Sequence, residues 1–113
     1  MTITSPTDTI VLFNAQTTDA NSAVANFTYS NHKACVKAFG TWNGATVALQ
    51  VAAPTSVVSN VWIPLKDRNG NLVSFTSNAV FFIEDMVYDD QIRAVQSSSG
   101  GSTSVSCTLQ PTS

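Results

Sequence analysis

The strongest constraint on this chain is the alternation across residues 33–51, KACVKAFGTWNGATVALQV. Ala34, Val36 and Ala38 fall on one face of the first run, and Lys33, Cys35 and Lys37 on the other. In the second run Ala45, Val47, Leu49 and Val51 alternate with Thr46, Ala48 and Gln50. A period of two belongs to half-buried strands, because successive side chains of a strand point to opposite faces. Gly40-Thr41-Trp42-Asn43-Gly44 separates the runs, a length within the range of hairpin connections. Asn43-Gly44 is where positive φ is expected, since Gly has no Cβ to clash and Asn tolerates the left-handed region. The pattern predicts a β-hairpin with Trp42 at its tip.

The rest of the chain repeats this theme. Further strands are expected over residues 9–13, 23–29, 60–65, 72–76, 79–84, 88–96 and 103–109, which brings the total to about nine. Turn signals separate them: Asn, Asp, Ser and Thr over 14–22, the KDRNGN stretch at 66–71, Ser77-Asn78, and SSSGGS at 97–102. Pro64 lacks an N–H, so its strand is an edge or ends there. No segment has a helical period. Short strands at this spacing predict an all-β fold, an antiparallel β-sandwich or jelly-roll-like barrel. Residues 1–22 read as an N-terminal arm and first strand, and 23–113 as the sandwich domain. The near-continuous apolar run TIVLF at 9–13 implies burial on both faces or a contact between subunits.

Composition narrows the function. Only 11 % of the 113 residues are charged, with a net charge of −2. The five basic residues are scattered, which argues against direct nucleic-acid binding. No apolar run approaches the roughly 18 residues of a membrane span. The N-terminus has neither the basic start nor the long apolar stretch of a signal peptide, so synthesis in the cytoplasm is expected. Alternation points Cys35 outward and Cys107 inward, which argues against a disulfide between them.

No catalytic constellation emerges, and an enzyme is not expected. His32 is the sole histidine, and with Cys35 it supplies too few ligands for a structural zinc. Glu84, Asp85, Asp89 and Asp90 cluster, but DMVYDD lacks the Gly of a calcium loop. The cluster reads as a solvated corner or as charge partners for Arg93. No phosphate loop, HExxH, GxSxG or CxxC is present. No cofactor or metal is expected. Phe81 and Phe82 point to opposite faces of one strand, and Trp62 lies opposite the apolar face of its own. Bulky groups on both sides of a sheet imply burial against a partner.

At residues 38–50, AFGTWNGATVALQ, the chain resembles a group of small all-β virion proteins of tailed bacteriophages. These carry a similar G-T-W-x-G-A-T-V-x-L-Q hairpin, followed by counterparts of WIPLKDRNGN, DQIRAV and SSSGGSTSVSCTL. The resemblance covers about residues 34–109. It departs at AAPTSVVSNVW, where related sequences place an Asp-Gly turn. It implies a capsid decoration or cement protein, or a head-fibre relative, that sits on the virion surface as a homo-oligomer, a trimer, and contacts the major capsid protein. Ile10, Val11, Leu12, Phe13, Trp62, Phe81 and Arg93 are the residues expected at the oligomer or capsid interface. Two other readings are a carbohydrate- or host-surface-binding module of a fibre or tail, with Trp42 and Trp62 as stacking platforms, and a head–tail or tail-tube connector.

Overall fold

Alternation turns one face of each strand inward, and the strands satisfy it by forming two sheets around one core. A computed structural model describes residues 2–3, 9–27, 32–53, 57–58, 60–86 and 91–111, with the backbone alone at 2–3, 27, 32 and 84–86. Among these residues there are eleven strands and no helix: β1 (Thr2–Ile3), β2 (Ile10–Gln16), β3 (Ala20–Asn21), β4 (Ala25–Phe27), β5 (His32–Thr41), β6 (Thr46–Ala52), β7 (Trp62–Pro64), β8 (Ser74–Phe75), β9 (Ala79–Met86), β10 (Gln91–Ser97) and β11 (Ser104–Pro111). The first sheet runs β1-β4-β10-β6-β7, with β3 also on β10 and β8 also on β6. The second runs β2-β11-β5-β9. All pairings are antiparallel except β1 with β4. The expected all-β sandwich is therefore present, with more and shorter strands than nine.

The core lies between the sheets. Val47, Leu49, Ile92 and Ala94 come from the first, and Val36, Ala38, Val105, Cys107 and Leu109 from the second, all essentially closed to solvent. Their intervening neighbours point outward, as the alternation of each strand requires. Cys107 is buried and Cys35 lies on the outer face, opposite Gln110 and Phe82, and both thiols are free.

The expected hairpin at 33–51 does not form. β5 pairs with β11 and β9, while β6 pairs with β10, β7 and β8. The turn itself is as expected: Ala45 N–H donates to Trp42 C=O at 2.8 Å, and Asn43 and Gly44 have φ of 42° and 89°. Positive φ at both central positions is the type I′ geometry of tight hairpins. The strands nevertheless part, because Thr41 pairs with Ser104 and Thr46 with Ser97, in different sheets. The turn is an arch between sheets.

Other connections at this end also cross between sheets, and polar side chains lace them together. Thr103, buried, donates its hydroxyl to Trp42 C=O at 2.8 Å and accepts from Gly100 N–H at 2.8 Å. Asn78 Oδ1 accepts from Gly40 N–H and from the Trp42 indole, each at 2.9 Å. With its amide turned to satisfy both ends, Asn43 accepts from the N–H groups of Ser102 and Gly101. Asp19 Oδ1 accepts from Ser99 N–H at 2.9 Å. That backbone donor, helped by the Ser99 hydroxyl, holds the Asp19 carboxyl below the usual carboxylate range. Buried Gln96 donates to Gln16 C=O at 3.0 Å and to Ser99 Oγ at 3.2 Å.

Two expectations about the N-terminus change. β2 is no arm. It is an edge strand of the second sheet, and Ile10, Leu12 and Phe13 sit in the core. The continuous apolar run comes from bulges. Between Cys107 and Thr108 of β11, one step, β2 advances two residues, from Phe13 to Val11. Leu12 is the extra residue, so both it and Phe13 turn inward. A second irregularity lies near Ala15, whose φ is 50° and whose N–H donates to Ser106 Oγ at 3.0 Å.

Candidate interaction surface

The outer face of the second sheet follows from its register. Val11, Thr108, Lys37 and Val80 lie in one cross-strand row, and Gln110, Cys35 and Phe82 in the next. Ser106 and Phe39 form a third. Val11, Phe39, Val80 and Phe82 are all exposed, Phe82 to 62 %. Isolated exposed apolar side chains are ordinary, but several together mark a contact surface.

A second exposed group lies along one flank. β7 and β8 occupy the same edge of β6 in succession, and the chain between them projects as a loop closed by the Lys66–Leu72 bridge. Asp67 shapes the loop tip. Its carboxylate accepts from the N–H groups of Asn69 and Asn71 at 2.9 and 3.0 Å. The loop stands beside β9, which among the described residues is a free edge of the second sheet. A groove of about 360 Å³ runs between them, lined by Leu65 to Asn69 and by Phe81, Phe82 and Ile83. Val61, Ile63 and Leu72 are exposed along the same flank.

On the outer face of the first sheet, Arg93 and Trp62 meet. The guanidinium carbon lies 4.2 Å from the centre of the indole ring, and Nε donates to Gln50 Oε1 at 2.8 Å. Register explains the contact. Arg93 pairs with Gln50, Gln50 with Pro64, and Trp62 is the next residue of β7 on that face. The expected partners Asp89 and Asp90 lie outside the described residues, as do the side chains of Glu84, Asp85 and His32. Among the described residues no group of three His, Cys, Asp or Glu side chains could hold a metal.

The seven residues expected at an interface do not form one surface. Ile10, Leu12 and Phe13 are buried in the core, so they cannot meet a partner without unfolding β2. Val11 lies on the outer face of the second sheet. Trp62 and Arg93 lie on the outer face of the first, across the sandwich from Val11. Phe81 is half-buried in the groove wall. The exposed member of the Phe81-Phe82 pair is Phe82, which sequence reasoning passed over together with Val80. The two tryptophans do not form a pair of open platforms. Trp42 packs against the core and donates to Asn78, and Trp62 carries Arg93 on its face.

Comparison with known proteins finds no family model that matches the chain and no curated protein similar to it.

Proposed function

We propose that the protein is a non-enzymatic structural component of a tailed-phage virion, a decoration subunit that binds the assembled head as an oligomer. The observation that carries this reading is a complete core accompanied by a separate apolar surface. Ile92, Leu49 and Leu109 are fully enclosed within one chain, yet Val80 and Phe82 remain exposed on a sheet edge. A surface of that kind serves contact with other protein. The G-T-W-N-G-A-T-V-A-L-Q stretch, with its resemblance to small virion proteins, supplies the phage setting. A neutral hydroxyl and amide surface suits a subunit exposed on a particle.

The mechanism is linkage. A subunit that binds the assembled lattice and not its dissociated parts stabilises the lattice by RT ln(1 + [L]/Kd) per site, about 2.7 kcal/mol at a hundredfold excess over Kd. The test uses heads of the encoding phage assembled without this protein. Added protein co-sediments with them at saturable stoichiometry and raises the temperature at which a dye detects released DNA. Absence of co-sedimentation at micromolar protein sinks the reading.

A further inference from the structure

We propose that the edge of β9, free among the described residues, pairs with β9 of a second copy, antiparallel about a two-fold axis, joining two four-stranded sheets into one of eight strands. The proposal rests on the reading that the protein works as copies in contact, and it names the contact.

Sheet edges are normally blunted, because their unpaired N–H and C=O groups accept any passing strand. The other long edge of the second sheet is interrupted by the two bulges of β2. The β7 edge of the first sheet carries Pro64. β9 has no such device over its regular part. From Ala79 to Ile83 it pairs residue for residue with β5, without bulge, proline or charge. The 65–69 loop faces this edge across the groove, and among the described residues no backbone hydrogen bond joins the two.

A second copy is the occupant that the segment's own pattern fits. Centred on Phe81, antiparallel self-pairing sets Val80 opposite Phe82 of the partner subunit, and Phe82 opposite Val80 of the partner subunit. Both pairs lie on the outer face, and apolar pairs directly across strands are the unit of sheet stabilisation. Ala79 falls opposite Ile83 of the partner subunit on the inner face. Sliding the pair while keeping its faces sets Phe82 opposite an Asn78 or Val80 opposite a Glu84, and leaves one apolar pair on the outer face in place of two. Area agrees. Val61, Ile63, Leu72, Val80 and Phe82 expose on the order of 500 Å² together, and a standard interface draws about 800 Å² from each partner, a little over half of it apolar. Self-pairing about a two-fold axis gives an even-numbered assembly in place of the trimer implied by the resemblance.

The test measures the mass of the full-length protein in solution by light scattering. At roughly 100 μM, where any interface of micromolar Kd is occupied, the expected mass is twice the 12.0 kDa of one chain. The double variant Val80→Lys, Phe82→Lys places like charges opposite each other and is expected to run as a folded monomer. The variant Val80→Lys, Phe82→Glu places Lys opposite Glu at both positions and restores the dimer in a salt-sensitive way. Both positions are exposed, so folding is retained, and far-UV circular dichroism checks this. Val11→Lys and Phe39→Lys, away from β9, leave the mass unchanged. A monomeric wild type, a dimer indifferent to the double lysine variant, or monomers from the Val11 or Phe39 variants overturns the proposal. Failure of the Lys–Glu variant to restore the dimer overturns the register. A monomer that binds heads removes this proposal and leaves the virion reading standing, and a dimer that binds no heads does the reverse.

Discussion

Gly40 is expected to be the least replaceable glycine of the chain, and its effect can be worked out from the backbone. It lies in β5 opposite Val105, with φ of 139°, where L-residues are strained. A Cβ at this position would overlap the carbonyl oxygen of Ser104 and lie 3.1 Å from Val105 Cα. Both obstacles are backbone atoms of a central strand, so no side chain can swing aside. The strained conformation alone costs about 1–3 kcal/mol, and displacing the β5–β11 ladder costs about a further 1–3 kcal/mol through weakened hydrogen bonds. Gly40→Ala is therefore expected to destabilise by about 2–6 kcal/mol, a large part of the 5–15 kcal/mol typical of a domain. Two other glycines separate the contributions. Gly44 also has positive φ, 89°, but its Cβ would meet nothing closer than Ser98 C=O at 3.6 Å. Gly44→Ala isolates the conformational cost, about 1–2 kcal/mol. Gly101 has no heavy atom within 4 Å of the added carbon, and Gly101→Ala is expected to change stability by less than about 0.5 kcal/mol. Urea unfolding followed by tryptophan fluorescence measures all three. With a slope of about 2 kcal/mol/M, the Gly40 variant loses about 2 M in midpoint. A Gly40→Ala midpoint level with that of Gly44→Ala would show that the ladder yields freely, and the steric argument would fail.

Four further outcomes test other parts of the molecule. A double-mutant cycle on Arg93→Met and Trp62→Leu is expected to give a coupling of about 0.5–1 kcal/mol, and a coupling of zero would show that the contact in the fold contributes nothing. Cys107 is pushed up to about 12 by burial, against an ordinary 9.0. Its raised pKa favours the folded state fully below pH 9, and that stability is lost as pH rises towards 12, by up to about 1.4 kcal/mol per unit; urea midpoints at pH 8 and 10 for wild type and Cys107→Ala measure it. The native protein is expected to take up one equivalent of thiol reagent, at Cys35, and two when unfolded; rapid native labelling of Cys107 contradicts its burial. Gln96→Glu would turn a carboxylate towards the carbonyl of Gln16, where the amide now donates. Burial and that carbonyl would raise its folded pKa, so the variant is expected to be least stable at neutral pH, by about 3 kcal/mol, and to regain stability as pH falls towards 4; an equal deficit at both pH values contradicts this.

The sequence carried the fold class because alternation records which side chains meet water, and that record is the same whichever sheet a strand joins. Ala34, Val36 and Ala38 and then Val47 and Leu49 all turn inward, as read. A hairpin would turn them to one face of one sheet, and the arch turns them towards each other from two sheets. The choice was made elsewhere in the chain, by Ser97 and Ser104, which draw Thr46 and Thr41 apart. The same limit explains the misassigned interface. TIVLF implies burial on both faces or a contact between subunits because a regular strand cannot turn Leu12 and Phe13 inward together, and the bulge that lets it do so depends on pairing with Thr108 and Cys107, nearly a hundred residues away. In β9, Val80 and Phe82 are as apolar as Phe81 and Ile83, so hydrophobicity could not say which face was open. What decides it is the register with β5, which sets Val80 and Phe82 beside Lys37 and Cys35 on the outer face and Phe81 and Ile83 beside Val36 and Ala34 on the inner. Among the described residues β5 has a strand on each side and β9 has one. A strand apolar on both faces needs more cover than one sandwich gives an edge, and in this chain the unmet need lies at Ala79–Ile83.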